Sequence, residues 1–144
     1  VEALLRRVDF LSLGTNDLTQ YLLAVDRNNA RVSELYDSLH PSVLRVVADL
    51  VNTAHKFDKP VSICGEKAGD PAAVPLLVGM GVDILSMSPA SLSRVKSVIR
   101  NLSRRRSEQL LHTVMGMEDS KTIRDFVNSE LDAMDLGGLV RAGH

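Results

Sequence analysis

The stretch PVSICGEKAGDPAAVPLLVGMGVDILSM, Pro60 to Met87, holds two short apolar runs separated by a helix-length segment. PVSIC (60–64) and DILSM (83–87) are strand-length, and each runs into a polar turn bearing Gly or Pro. In DPAAVPLLVGMG (70–81), Asp70 is placed to cap a helix, Pro71 to open it and Gly81 to end it. A chain that passes strand, helix, strand must return to the same end before pairing again, so the two strands are expected to run parallel.

The pattern repeats outward from this unit. Upstream, VDFLSL (8–13) reads as another strand, and PSVLRVVADLVNTAHKF (41–57) as a helix opened by Pro41, with Leu44, Val47, Ala48, Val51 and Ala54 on one apolar stripe. Downstream, PASLSRVKSVIRNL (89–102) reads as a helix with Leu92, Val95, Val98 and Ile99 inward. Three strand-helix units make the class α/β, with two arrangements open: a small doubly wound sheet, or about three units of a TIM-type barrel of eight.

The pattern changes beyond Asn101. EDSKTIRDFVNSELDAM (118–134) places Ile123, Phe126, Val127, Leu131 and Met134 on one helical face, with Asp119 or Ser120 as cap, and Gly137 and Gly138 are expected to break this helix. We divide the chain into a partial barrel, 1–103, and a helical tail, 104–144, which needs a surface on its own barrel or on a partner. The opening VEALLRRVDF reads as a helix end, so a chain starting there reads as a piece of a longer protein, with a processed terminus or an alternative start codon as the competing explanation.

The 144 residues suit one compact core, and 44% hydrophobic with 24% charged side chains is the composition of a globular domain. Seventeen basic against 18 acidic residues leave a net charge of −1 and no overall field for nucleic acid or an anionic membrane. The one basic run, SRRR (103–106), reads as a solvated helix start or linker. With Cys64 as the only cysteine, no intramolecular disulfide forms, and a reducing cytoplasm fits. No apolar run approaches the roughly 20 residues that span a bilayer.

In parallel α/β proteins reactive groups collect where strands end and helices begin. Here those ends carry Gly14, Thr15, Asn16 and Asp17; then Cys64, Gly65 and Glu66, with Lys67 and Asp70 after them; then Ser86, Ser88 and Ser91. Such a set suits an oxygen-rich anion with a hard cation. Asp17 is a candidate magnesium ligand, or a helix cap. Asn16 can donate to phosphate, and Arg27 offers a planar fork for phosphate oxygens or pairs with Asp26 or another carboxylate. Cys64 is either a small buried hydrophobe or a thiol that gives a proton to substrate. No histidine follows these strands, which disfavours a Cys/His pair.

GTNDLTQYLLAVDRNN, LYDSLHPSVL, VSICGEKAGDPAAVPLLVGMGVD and LSMSPASLSRVKSVI together resemble the C-terminal part of Enzyme I of the phosphoenolpyruvate-dependent phosphotransferase system, in particular its nitrogen-related paralogue. The resemblance runs from about Val8 to Arg100. It implies a phosphoenolpyruvate-binding barrel, magnesium as cofactor, phosphoryl transfer to a histidine on a separate N-terminal domain, delivery to a small phosphocarrier protein, and a cytoplasmic homodimer. It further implies that Asp17 binds magnesium, that Asn16 and Arg27 contact the phosphate, and that Cys64 protonates the methylene carbon of enolpyruvate.

The family's second magnesium carboxylate lies at the end of the preceding strand, so Glu2, in the helix leading into Val8, is rejected for that role. The remaining phosphate-binding arginines and the phosphorylated histidine have no counterpart here, and this chain by itself is expected to be inactive. Pyruvate, phosphate dikinase and phosphoenolpyruvate synthase share GTND-like and CGE-like signatures, but AVDRNN and LYDSLHPSVL favour Enzyme I. A reading of a different class is a non-catalytic binding or dimerisation module.

Overall fold

Val61–Cys64 (β2) is the middle strand of a three-stranded parallel sheet, flanked by Leu11–Gly14 (β1) and Ile84–Ser86 (β3). A computed structural model describes residues 1–138 of the chain. The register aligns Leu13, Ile63 and Leu85 in one row and Gly14, Cys64 and Ser86 in the next. Side chains alternate along a strand, so Leu11, Leu13, Val61, Ile63 and Leu85 share the face that packs into the core. Ser12, Ser62, Cys64, Ile84 and Ser86 share the other, where Ile84 is 52% exposed. Strands in simple sequence order, with helices on one face and small polar side chains on the other, are arranged as consecutive staves of a barrel wall would be. A complete doubly wound sheet reverses its order once and covers both faces.

A short helix, Glu2–Leu5 (α1), precedes β1; Thr15–Leu23 (α2) and Pro41–His55 (α3) join β1 to β2; Glu66–Gly69 (α4) and Val74–Met80 (α5) join β2 to β3; Pro89–Asn101 (α6) follows β3. Pro41 occupies the first position of α3, where its missing N–H costs nothing, and Nδ1 of His40 accepts the Ser42 N–H at 3.2 Å. The whole expected stripe of α3, Leu44 to Ala54, is buried.

Two helical expectations need correction. The helix expected from Asp70 and Pro71 begins only at Val74. Asp70 Oδ1 accepts the Ala72 N–H at 2.9 Å, closing a separate turn of the kind Asp makes with its own backbone, and Pro75 takes the first-turn position instead. In α6, Val95 and Val98 are buried, but Leu92 is 55% and Ile99 40% exposed. The helix packs on α4 and α5, a surface narrower than its apolar stripe.

The tail packs on this chain's own core. Arg104–Val114 (α7) lies directly against α5: a Cβ added to Gly79 would stand 2.5 Å from the carbonyl oxygen of Ser107. Ser120–Ala133 (α8) buries Ile123, Val127 and Leu131. The basic run is a helix start, as the Ser103 side chain accepts the Arg106 N–H at 3.1 Å. Arg104 pairs with Glu108 and Arg106 with Glu130. α8 stops before the expected glycines: Asp135 turns left-handed, at φ 60°, and the Leu136 N–H donates back to the Leu131 carbonyl at 2.8 Å. The rest of the tail from 139 on, including His144, lies outside the described residues.

Candidate active site

The carboxyl ends of β1 and β2 are stitched together by side chains. Thr15, the first residue of α2, donates its hydroxyl to the Cys64 carbonyl at 3.1 Å, and the next residue, Asn16, accepts the Glu66 N–H on Oδ1 at 3.3 Å. Gly65 lies between them at φ 114°, and a Cβ there would meet Asn16 Oδ1 at 3.0 Å and Thr15 Oγ1 at 3.1 Å. Only glycine combines that backbone conformation with that proximity. The motif CGE therefore needs its glycine so that the two strand ends can close on one another.

A groove of about 720 Å³ opens at these ends, lined by Asn16, Cys64 and Glu66 from one side, by Ser86 and Ser88 after β3, and by Arg124 from α8. Half-buried Cys64 points its thiol along β1, donating to the Leu13 carbonyl at 3.5 Å, with the Ser12 hydroxyl 3.9 Å from the sulfur. The thiol is thus held as a hydrogen-bond donor on the uncovered face of the sheet.

Asp17 sits in the first turn of α2, exposed, where a carboxylate is favoured by the helix dipole. It caps nothing: the residue at the cap position is Gly14, without a side-chain hydrogen bond. Arg27 lies beyond the end of α2, its backbone N–H held by Gln20 Oε1 at 3.0 Å. Its guanidinium bonds Glu66 Oε1 at 3.2 Å rather than Asp26, whose carboxylate accepts the Asn28 N–H. Of the expected site residues, Asn16 and Cys64 line the groove; Arg27 does not line it and is tied to its edge through Glu66, and Asp17 adjoins it through the turn it shares with Asn16. Glu2 starts α1 and does not line the groove.

Tyr36 and Arg124 have no counterpart in the sequence reading. Tyr36 donates its hydroxyl to Asn16 Oδ1 at 3.4 Å; burial, and then the nearby Glu66 charge, raise its pKa, so it remains a donor at neutral pH. Beside it, a cavity of about 330 Å³ is lined by Tyr36, Asp37, Lys67, Asp70 and Arg124. Arg124 spans Asp70 at 3.1 Å and Asp37 at 3.3 Å, tying α8 to the strand-end loops. Lys67 is 1% exposed, its amine has no hydrogen-bond partner among the described residues, and burial lowers its pKa to about 7 against the opposing pull of Asp37 and Asp70.

Among the described residues no three His, Cys, Asp or Glu side chains converge as a metal cage. Magnesium does not need one. It is commonly bound through one or two carboxylates, water and substrate phosphate, and the exposed carboxylate of Asp17, without a partner among the described residues, fits such a one-ligand contribution. No helix among the described residues is long and apolar enough to cross a membrane.

The chain is similar to known proteins over most of its length. Residues 1–104 match the family described as PEP-utilising enzyme, PEP-binding domain. A Salmonella typhimurium protein named phosphoenolpyruvate-dependent phosphotransferase system is 42% identical over 140 residues, 97% of this chain and 19% of that protein. The phosphoenolpyruvate-protein phosphotransferase of Priestia megaterium is 47% identical over 124 residues, 86% of this chain and 22% of its own. That of Cupriavidus necator is 50% identical over 111 residues, 77% of this chain and 19% of its own. The chain spans about a fifth of the length of these curated relatives.

Proposed function

Since this chain belongs to the PEP-utilising enzymes through their PEP-binding domain, we propose that its groove is part of the phosphoenolpyruvate site of a phosphoenolpyruvate-protein phosphotransferase of the Enzyme I type. The observation that carries this reading is an amide (Asn16) and a thiol held as donor (Cys64) lining one groove at the sheet end, with a guanidinium (Arg27) held at its edge by Glu66.

In this reading Arg27 and Asn16 hold the phosphate, the guanidinium with its two-pronged fork and the amide with its free NH2. Both stabilise negative charge on the phosphoryl oxygens as the group leaves for a histidine elsewhere in the enzyme. Departure of the phosphoryl group leaves the enolate of pyruvate. Cys64 then gives its proton to C3, forming the methyl group, and the resulting thiolate takes a proton from solvent. Asp17 would help to hold magnesium, which would supply further charge neutralisation at the phosphate.

The reading extends to a small phosphocarrier protein as final acceptor and to a homodimer in the cytoplasm, where the free thiol of Cys64 stays reduced. Assignment to the nitrogen-related paralogue rests on the sequence resemblance. The test is calorimetric titration of the native gene product with phosphoenolpyruvate and magnesium. Asn16→Ala and Arg27→Ala should each weaken binding at least about tenfold, since charge-assisted phosphate contacts contribute about 1.5–3 kcal/mol. Unchanged affinity in both would overturn the reading.

A further inference from the structure

We propose that Tyr36 is a positioning residue for phosphoenolpyruvate: its hydroxyl, with the Glu66 backbone N–H, locks the Asn16 side chain with its oxygen inward and its NH2 presented to the groove. The proposal rests on the reading of Asn16 as a phosphate contact and adds a residue that acts through it.

An asparagine amide has two ends of nearly equal shape, and only one of them can donate to an anion. At Asn16 the oxygen accepts from Tyr36 at 3.4 Å and from Glu66 N at 3.3 Å, which uses both of its lone pairs. Turning the amide over would set an N–H against the fixed backbone N–H of Glu66 and would oblige the Tyr36 hydroxyl to give up its donor role, so the present orientation is favoured. The NH2 end makes no hydrogen bond within the described residues, and Asn16 lines the groove. The interactions therefore select the rotamer that a phosphate requires before the phosphate arrives, which reduces the ordering cost of binding.

Tyr36 is itself held. It follows the short 3-10 turn Ser33–Leu35 and donates its N–H to Ser33 O at 3.0 Å. The next residue, Asp37, accepts the Leu39 N–H at 2.8 Å and is bridged by Arg124. The Arg27 guanidinium and the Thr19 hydroxyl lie alongside the phenol. The ring is thus fixed from both sides, and Tyr36→Phe removes the donor while keeping the ring.

The experiment is a double-mutant cycle on the native gene product, with phosphoenolpyruvate affinity measured by calorimetry in the presence of magnesium and thermal stability measured in parallel. Tyr36→Phe should weaken binding about fivefold, as loss of one hydrogen bond of about 1 kcal/mol implies, with little change in Tm. In an Asn16→Ala background the same substitution should cause no further loss, because its effect passes through Asn16. Equal losses in the two backgrounds, or no loss in the single variant, would overturn the positioning role and leave the phosphate reading standing. An Asn16→Ala variant that binds as well as wild type would remove both.

Discussion

The guanidinium of Arg27 lies 3.2 Å from the carboxylate of Glu66, and the backbone N–H of the same glutamate donates to Asn16 Oδ1 at 3.3 Å. One residue, just past the end of β2, therefore organises both groups that we assign to phosphate. Its two contacts act in opposite senses. The backbone bond orients Asn16 for an anion, whereas the carboxylate occupies Arg27 as an anion would.

Glu66→Gln should therefore separate them. The side chains of Arg27 and Glu66 are 37% and 75% exposed, and such ion pairs contribute about 1 kcal/mol or less, so Tm should barely move. Phosphoenolpyruvate affinity at low salt should rise about two- to threefold as Arg27 loses its competing anion, and the gain should shrink as salt screens the charges. Calorimetry at two ionic strengths measures it; a large loss of affinity would show that the Glu66 carboxylate itself takes part in binding.

Lys67 sets a pH dependence on stability. Its ordinary pKa of 10.5 falls to about 7 in the fold, chiefly through burial. Between those values the unfolded chain holds a proton that the folded chain does not, so stability rises with pH across about 7 to 10.5. Below 7 the full penalty of the buried charge is present. Lys67→Met should stabilise the protein by about 1–3 kcal/mol at neutral pH, the usual cost of an unsatisfied buried polar group, and should flatten the slope while Arg124 keeps its two carboxylates. Denaturant melts at pH 6, 7.5 and 9 provide the comparison.

Gly79 tests whether the tail belongs to the core. Alanine there would place its Cβ 2.5 Å from Ser107 O and 3.1 Å from Leu111 Cβ. Elsewhere in a helix Gly→Ala gains up to about 1 kcal/mol. Against the rigid backbone of α7 it should instead cost about 1–3 kcal/mol, read as a lower Tm with increased hydrogen exchange in α7. A neutral or stabilising effect would mean that α7 does not sit on α5.

What the sequence disclosed tracks what is local. The α3 stripe and the strands around Ile63 and Leu85 are legible because burial on one face imposes a period over a few residues. The start of α5 is not, since an Asp-Pro pair serves a helix cap and a tight turn equally, and only Asp70 bonding Ala72 decides between them. The outward position of Leu92 and Ile99 was hidden too, because a stripe does not report where its supporting surface stops. At the site, Asn16 and Cys64 stand out as polar groups directly following apolar strands. Tyr36 does not, being 20 residues from Asn16 in sequence, and Arg124 lies 54 and 87 residues from the aspartates it bridges. Side chains that meet across such distances leave no periodic trace.

The account stands most directly on Cys64 as the group that protonates enolpyruvate. Its measurement is the rate of pyruvate formation from phosphoenolpyruvate by the native gene product, compared between wild type and Cys64→Ala, with ligand affinity followed alongside. A proton donor is worth about a hundredfold or more in rate. The account predicts a loss of that size with phosphoenolpyruvate still bound within about fivefold, the scale of a single lost contact. Pyruvate formed by Cys64→Ala at the wild-type rate would contradict it.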